Sequence, residues 1–238
     1  MSRGNGRMRI FLDDVDFRKL LFVLADVVDE FDVECCDYCL MPTHYHLALR
    51  PRWPNLSEAI QQLNSVYAMW WNGVHSTVGH VFQGRFKSQV VQRESYQLAL
   101  CRYIALNPVR ARLVERPESW QWSSYRAMAG LCRNPGFLTT ERVLGQFGDG
   151  DVPLLCSLYR QHVAAVLPDE GEMERLRSKE QVVGDPSFKR EVRRQRSALE
   201  SAPDTPNDAP DAPTPSGSPP SGAPSEQEKG PDPALTPL

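Results

Sequence analysis

The chain has 238 residues, a formal net charge of −3 and 41% hydrophobic residues, enough for one globular domain with extensions. No apolar run approaches the roughly 20 residues that a membrane-spanning helix needs, and the first residues lack the apolar core of a secretion signal. We therefore expect a cytoplasmic protein with no membrane partner. Its six cysteines, including the lone CxxC pair of Cys36 and Cys39, are expected to be reduced thiols.

The charge is distributed unevenly along the sequence. Residues 1–37 hold 5 Lys and Arg against 9 Asp and Glu, whereas residues 38–130 hold 10 against 4. The second segment is therefore basic, although the chain as a whole is weakly acidic. A basic segment of this size favours a polyanionic partner such as a nucleic acid.

The first fifty residues predict a helix followed by a β-hairpin. Asp13 and Asp14 are typical of the first turn of a helix, and apolar residues then recur with the 3.6-residue period. Residues 33–40 and 45–49 have the pattern of two strands, and Pro42 marks the tight connection between them.

Two histidines, His44 and His46, lie beside this turn. Successive side chains of a strand point to opposite faces, so these two project from the same face. Two imidazoles held side by side on a strand form half of a divalent metal site. The alternative interpretation is a pair of surface histidines on an edge strand.

The next segment predicts a second helix, a loop and a third helix. Asn55 or Ser57 caps the second helix, which runs to about residue 75. In the loop that follows, Arg85 and Lys87 flank an aromatic residue and lie next to glycines, which suits nucleic-acid contact.

The third helix begins at Glu94 or Ser95. Pro108 disfavours helical geometry at Asn107, so the helix is predicted to end there or just before. Tyr103 precedes Asn107 by four residues and therefore lies on the same face.

The last hundred residues predict two or three helices over 137–196 and then a tail. The charged run 189–196 is typical of a solvated helix face, with DNA contact as the less favoured interpretation. Residues 201–238 hold 11 of the 20 prolines and no aromatic residue. That segment cannot form a core, so we expect it to be disordered.

The separated motifs combine into one chemical hypothesis. His44, His46 and the amide oxygen of Asn107 form a ligand set that suits Mg²⁺ or Mn²⁺ bridging a phosphate. Tyr103, one helical turn from Asn107, would bring a phenol to that phosphate as a nucleophile, and its attack on a phosphodiester would be reversible. The alternative for Tyr103 is a half-buried aromatic residue.

At these residues the sequence resembles the single-tyrosine HUH transposases, specifically those similar to the REP-associated tyrosine transposases. The matching segments are residues 41–47, 81–88, 103–111 and 122–125. The resemblance implies an α+β, ferredoxin-like domain with the histidines on a central strand. It also implies a divalent-metal-dependent enzyme that cleaves and rejoins single-stranded DNA, often at hairpin-bearing ends, through a 5′-phosphotyrosine. His44 and His46 match the HUH pair, Tyr103 the nucleophile and Asn107 the metal-ligand position.

Several further expectations follow for the organisation and partners of the chain. The predicted domains are a transposase-like domain over 3–130, a helical extension over 131–198 and the tail over 199–238. The family has an apolar strand before the Arg-Gly-Asn stretch, and here that strand is expected to be missing or shortened. Single-stranded or hairpin DNA is the expected partner of a monomer or homodimer. The predicted phosphate contacts are Arg85, Lys87, Arg110 and Arg112.

Three functions stay open from the sequence. The first is the transposase. The second is a non-catalytic protein that recognises hairpin DNA, and the third is a metal hydrolase that uses the same histidines with an activated water. The hydrolase leaves Tyr103 unexplained. If the chain forms a covalent bond to DNA, the competing nucleophiles are Tyr45, Tyr125 and above all Tyr96, which lies on the same helix.

Overall fold

The computed structural model describes residues 1–165 and 181–201. The predicted α+β class, an antiparallel sheet with helices, is confirmed. The strands are β1 (Ser2–Arg3), β2 (Val33–Met41), β3 (His44–Pro51), β4 (Val90–Val91) and β5 (Val182–Val183). The α-helices are α1 (Asp14–Glu30), α2 (Leu56–Val74), α3 (Arg93–Arg110), α4 (Tyr125–Met128), α5 (Glu141–Leu144), α6 (Val152–Ala164) and α7 (Pro186–Ser201).

The central sheet has the strand order β1-β3-β2, and both pairings are antiparallel. The predicted hairpin is confirmed, because β2 and β3 pair from their ends at Val33 and Pro51 to Met41 and His44 beside the turn. Strand β3 is the central strand because it pairs with both β1 and β2, and it carries both histidines. The CxxC pair Cys36 and Cys39 is buried in β2 as free thiols, as the sequence indicated.

Strand β1 is two residues long. Its outer edge is nevertheless covered, because residues 81–87 run alongside it and bridge to it at Gly4 and Phe82 in antiparallel sense. Three backbone hydrogen bonds hold this segment, from Gln83 N to Arg3 O (2.7 Å), Asn5 N to Val81 O (2.9 Å) and Lys87 N to Met1 O (2.9 Å). The segment occupies the place of the last strand in a βαββαβ, ferredoxin-like order.

The other edge of the sheet, along β2, is covered by two later segments. Leu40 N donates to Trp122 O at 2.9 Å, Ser124 N donates to Tyr38 O at 3.0 Å, and Thr139 N donates to Cys35 O at 2.8 Å. An open strand edge exposes unpaired N–H and C=O groups. The motif at 122–125 therefore has a structural function in this fold: it closes the edge of the sheet.

Helices cover both faces of the sheet. Helix α1 begins with a capping box, in which the Asp13 side chain accepts from the backbone of Asp16 and the Asp16 side chain accepts from that of Asp13. The main core forms where α1 and α2 pack on the face that carries Tyr45 and Leu40. On the opposite face α3 packs on β2 through Ile104. The histidine face of β3 is therefore the face that α3 covers.

Helix α3 does not end at Asn107, and that prediction was wrong. The helix continues through Pro108 to Arg110. Proline removes one helical hydrogen bond and strains the residue before it, but here Pro108 is buried by its neighbours. The turn is also supported by backbone bonds from Ala111 N to Asn107 O and from Leu113 N to Pro108 O. Burial and these bonds outweigh the local cost, so the three residues 108–110 remain helical.

The C-terminal part is tied to α3 at two places. Helix α6 docks where Arg102 contacts Nδ1 of His162 at 2.9 Å, and Nε2 of His162 contacts the carbonyl oxygen of Leu98 at 3.0 Å. Strand β5 pairs in parallel with β4 and brings α7 with it. Asp185 follows β5 and exchanges two 2.8 Å hydrogen bonds with the Gln92 side chain.

Over 137–196, where two or three helices were expected, the described residues contain α5, α6 and α7, and they also contain β5, which was not predicted. Helix α7 extends to Ser201, so the first residues assigned to the tail are helical. The rest of the predicted tail, from residue 202, lies outside the described residues, as does 166–180. Within the described ranges no helix combines the length and the apolar character that a membrane span requires.

Candidate active site

The two histidines form a pair on the α3-covered face of β3. The ring centroids of His44 and His46 lie 5.0 Å apart, with the rings nearly perpendicular. The intervening Tyr45 points to the opposite face and is fully buried in the main core. The alternation of the strand thus fixes the direction of both imidazoles, because rotating the strand would expose the buried Tyr45 ring.

Burial keeps both imidazoles neutral. It lowers the pKa of His44 to about 4, with smaller contributions from the positive charges of Arg3 and the amino terminus. Burial also lowers the pKa of His46 to about 3, helped by His44. Nδ1 of His44 is hydrogen-bonded to the Thr43 hydroxyl at 3.0 Å, which leaves Nε2 for another partner. Neutral imidazole is the form that binds metals.

Helix α3 brings Tyr103 against this pair. The ring centroids of Tyr103 and His46 lie 5.6 Å apart, with the rings nearly perpendicular. The contact joins residues that are 57 positions apart and depends on the packing of Ile104 against Cys39 and Met41 of β2. Tyr96, two turns earlier on the same helix, packs on the cluster of Ala99 and Val183, which Tyr103 also contacts.

The extra turn of α3 places Arg110 beside Tyr103. The two residues are seven positions apart, which is two helical turns and the same face. Side chains on a helix lean toward its N-terminus, so the long side chain of Arg110 reaches back over the phenol. The guanidinium carbon lies 5.3 Å from the Tyr103 ring centroid. The predicted phosphate contact Arg110 is therefore part of the cluster around the tyrosine.

Asn107 lies between these two residues on α3. Its side-chain nitrogen donates to the carbonyl oxygen of Tyr103 at 2.8 Å. The amide nitrogen is thus occupied by the helix backbone, and the amide oxygen is the atom that could serve as a ligand.

The other three predicted phosphate contacts lie outside this cluster. Arg85 and Lys87 are exposed on the segment that covers β1, and Arg112 is exposed just after the end of α3. Arg112 has a positive φ of 57°, which marks the sharp change of chain direction there. The structure therefore divides the four cations into Arg110, which touches the tyrosine, and three that face solvent.

Arg3 is a site residue that the sequence analysis missed. It is paired with His44 in the β1–β3 ladder, and directly paired residues point to the same face of a sheet. The neighbouring Gly4 has no room for a side chain, because a Cβ atom there would clash with the carbonyl oxygen of Met8. The glycine lets this strand end pack closely, but only the strand pairing shows where Arg3 points.

A comparison with known families supports the resemblance that was drawn from the sequence motifs. Residues 2–107, a little under half of the chain, match the family model described as "Transposase IS200 like". The stretch that carries the site is similar to the IS200-like transposases. The resemblance drawn from the four motifs is therefore confirmed.

The chain is also similar to a solved structure of a REP-associated tyrosine transposase bound to a REP hairpin. The match has 17% sequence identity and a TM-score of 0.45, and it covers 63% of this chain and 82% of that one. No curated protein matches the chain.

Proposed function

We propose that this chain is a transposase that cleaves and rejoins single-stranded DNA through a covalent bond to Tyr103. The observation that carries the proposal is the 5.6 Å contact between the rings of Tyr103 and His46. It puts a phenol, which is a good nucleophile, next to a pair of metal-binding side chains. The match of this stretch to the IS200-like transposases supports the same chemistry.

The reaction balances without any further reagent. The phenol oxygen of Tyr103 attacks a backbone phosphorus and loses its proton, while the bond from phosphorus to the 3′-oxygen breaks. The leaving 3′-oxygen takes up a proton, and the 5′-phosphate stays bound to the tyrosine. Attack by the 3′-hydroxyl of another strand reverses these steps and releases Tyr103 with a newly joined DNA strand.

The histidines are better suited to bind a metal than to remove the proton of Tyr103. A free phenol has a pKa near 10, whereas the pKa values of His44 and His46 are lowered to about 4 and about 3. Proton transfer from a phenol to an imidazole whose pKa is lowered in this way is unfavourable. General-base catalysis works best with a base whose pKa lies near the operating pH.

The donor set fits a divalent cation that is shared with the substrate. His44, His46 and the amide oxygen of Asn107 would hold Mg²⁺ or Mn²⁺. Such an ion supplies Lewis-acid polarisation of the phosphate. No group of three or more His, Cys, Asp or Glu residues suited to a metal occurs among the described residues. DNA phosphates are therefore expected to contribute strongly to metal affinity.

The proposed partner is single-stranded or hairpin DNA. Its backbone would follow the exposed cations Arg85, Lys87 and Arg112 towards the half-buried Arg110. Contacts of this kind position a strand without reading its sequence.

Trapping the adduct tests the proposal. The protein is mixed with labelled single-stranded DNA and Mg²⁺, denatured, and analysed for DNA that remains attached. Tyr103→Phe should abolish the adduct completely, because the ring and its packing stay while the nucleophilic oxygen is lost. Tyr96→Phe is the matched control, since it removes the same atom about 10 Å away along α3 and should keep the adduct.

Each other outcome selects a different function. Phosphotyrosine mapped to Tyr96, or full adduct formation by Tyr103→Phe, contradicts the assignment of the nucleophile. DNA binding without any adduct favours the non-catalytic DNA-binding protein. Cleavage without an adduct favours the hydrolase.

A further inference from the structure

Arg3 projects from the sheet on the same face as the histidine pair. Its pairing with His44 fixes the backbone, and Gln83 N donates to its carbonyl oxygen from the other side at 2.7 Å. The residue is thus held between β3 and the segment 81–87.

Two guanidinium groups near the histidines and Tyr103 each have an N–H donor that makes no hydrogen bond. Among the described residues, Nε of Arg3 and Nη1 of Arg110 are both buried and neither has a hydrogen-bond acceptor. A buried N–H of a charged group that is left unsatisfied is costly and uncommon. Guanidinium donors are geometrically suited to the oxygens of a phosphate. The unfilled donors therefore indicate an anionic ligand.

The two arginines lie at opposite ends of one row of contacts. Arg3 is paired with His44, whose ring lies 5.0 Å from that of His46. The ring of His46 lies 5.6 Å from that of Tyr103, and the guanidinium carbon of Arg110 lies 5.3 Å from the centroid of the Tyr103 ring. The row thus begins and ends with a cation.

We propose that Arg3 binds a DNA phosphate at the histidine end of this row, opposite Arg110 at the tyrosine end. The two guanidinium groups hold the sugar-phosphate backbone along the row, so that the phosphate to be cleaved faces Tyr103. Arg3 is therefore a phosphate-binding residue of the active site. This inference rests on the proposed DNA-processing function and adds a residue and a binding direction to it.

The chain offers a matched control for Arg3. Arg9 lies six residues later and is exposed. Replacing it with glutamine removes the same charge close to the same end of the chain. Any effect of net charge alone is therefore shared by Arg3→Gln and Arg9→Gln, whereas loss of a specific phosphate contact occurs only in Arg3→Gln.

The first measurement observes the Nε–H group of Arg3 directly. Arginine Nε–H resonances are recorded by proton–nitrogen NMR while inorganic phosphate, and then oligothymidylate, is added. The signal of Arg3, assigned by its absence from Arg3→Lys, should move downfield with both ligands. An Arg3 signal that responds to neither ligand overturns the proposal, and no assumption about catalysis enters this result.

The second measurement compares DNA affinity in the Tyr103→Phe background, where no covalent step can contribute. Fluorescein-labelled oligothymidylate is the probe, without divalent metal. Arg3→Gln should weaken binding by about tenfold or more, as expected for a lost charged hydrogen bond. It should also flatten the slope of log affinity against log salt by about 0.7. Arg3→Lys, which keeps the charge, should retain the slope and lose part of the affinity.

The control decides between the two possible causes of weaker binding. Arg9→Gln should bind within about twofold of its parent. Equal losses in Arg3→Gln and Arg9→Gln overturn the proposal. Failure of the covalent assay on the unsubstituted protein would instead contradict the proposed function and leave this result standing, because binding is measured where cleavage cannot occur.

Discussion

Asp37 is a buried carboxyl that should make the stability of the protein depend on pH. It lies in β2 at the irregularity between Cys35 and Asp37, and its side chain is 1% exposed. The Ser124 hydroxyl donates to Oδ1, and the Cys101 thiol and the backbone of Tyr38 also hydrogen-bond the carboxyl. Burial raises the pKa of Asp37 from 3.8 to about 7, although the hydrogen bond from Ser124 opposes the rise.

The direction and size of the effect follow from that pKa. In the unfolded chain the carboxyl loses its proton above about pH 4, whereas in the folded protein Asp37 keeps it until about pH 7. The stability is therefore fully present below about pH 4 and falls as the pH rises to about 7. A difference of about 3 pH units at 1.36 kcal/mol each gives on the order of 4 kcal/mol.

Asp37→Asn removes the ionisation while keeping the shape of the side chain. The free energy of unfolding is measured by urea denaturation across this pH range. Asp37→Asn and its parent should be similar near pH 4, and the variant should be more stable by up to about 4 kcal/mol near pH 8. Asp26→Asn, at an exposed position of α1, is the control and should follow the parent. Parallel curves for Asp37→Asn and the parent would refute the reasoning.

Two further predictions concern the site and the DNA path. His44→Ala should lower the affinity for Mn²⁺ in the presence of single-stranded DNA, measured by electron paramagnetic resonance, while sparing most DNA binding. The exposed His80→Ala is its control, and equal Mn²⁺ affinity in both would remove His44 from the metal site. Separate alanine substitutions of Arg85, Lys87 and Arg112 should each flatten the log-affinity against log-salt slope by about 0.7 for single-stranded DNA. Unchanged slopes in all three would show that these side chains lie away from the DNA.

The parts of the structure that the sequence predicted are those set by local pattern. The hairpin from Val33 to Pro51 follows from two apolar strands and a Pro-Thr turn, and alternation alone puts His44 and His46 on one face. The start of α1 follows from its acidic cap. In these cases the conformation that the local sequence favours is also the conformation that buries the apolar side chains. Local preference and core packing therefore predict the same structure.

The parts that were missed depend on partners far away in the chain. The parallel pairing of β4 with β5 joins residues separated by more than ninety positions, and two-residue strands carry too little pattern to be recognised. The end of α3 was misplaced because local geometry at Pro108 was weighed without its burial. Proline propensity is a local preference, and tertiary packing overrides it here.

The misplaced helix end is also the reason why Arg110, although predicted as a phosphate contact, could not be placed beside Tyr103 from the sequence. Had α3 stopped at Asn107, Arg110 would lie in a connecting loop, and nothing in the sequence would place it beside Tyr103. Because the helix continues, the 3.6-residue period that aligns Tyr103 with Asn107 also aligns Arg110. Arg3 lies in the same row because it is paired with His44 in the antiparallel β1–β3 ladder. The cations at the two ends are therefore positioned by two different regular structures, and the row between them forms only when α3 docks on the sheet.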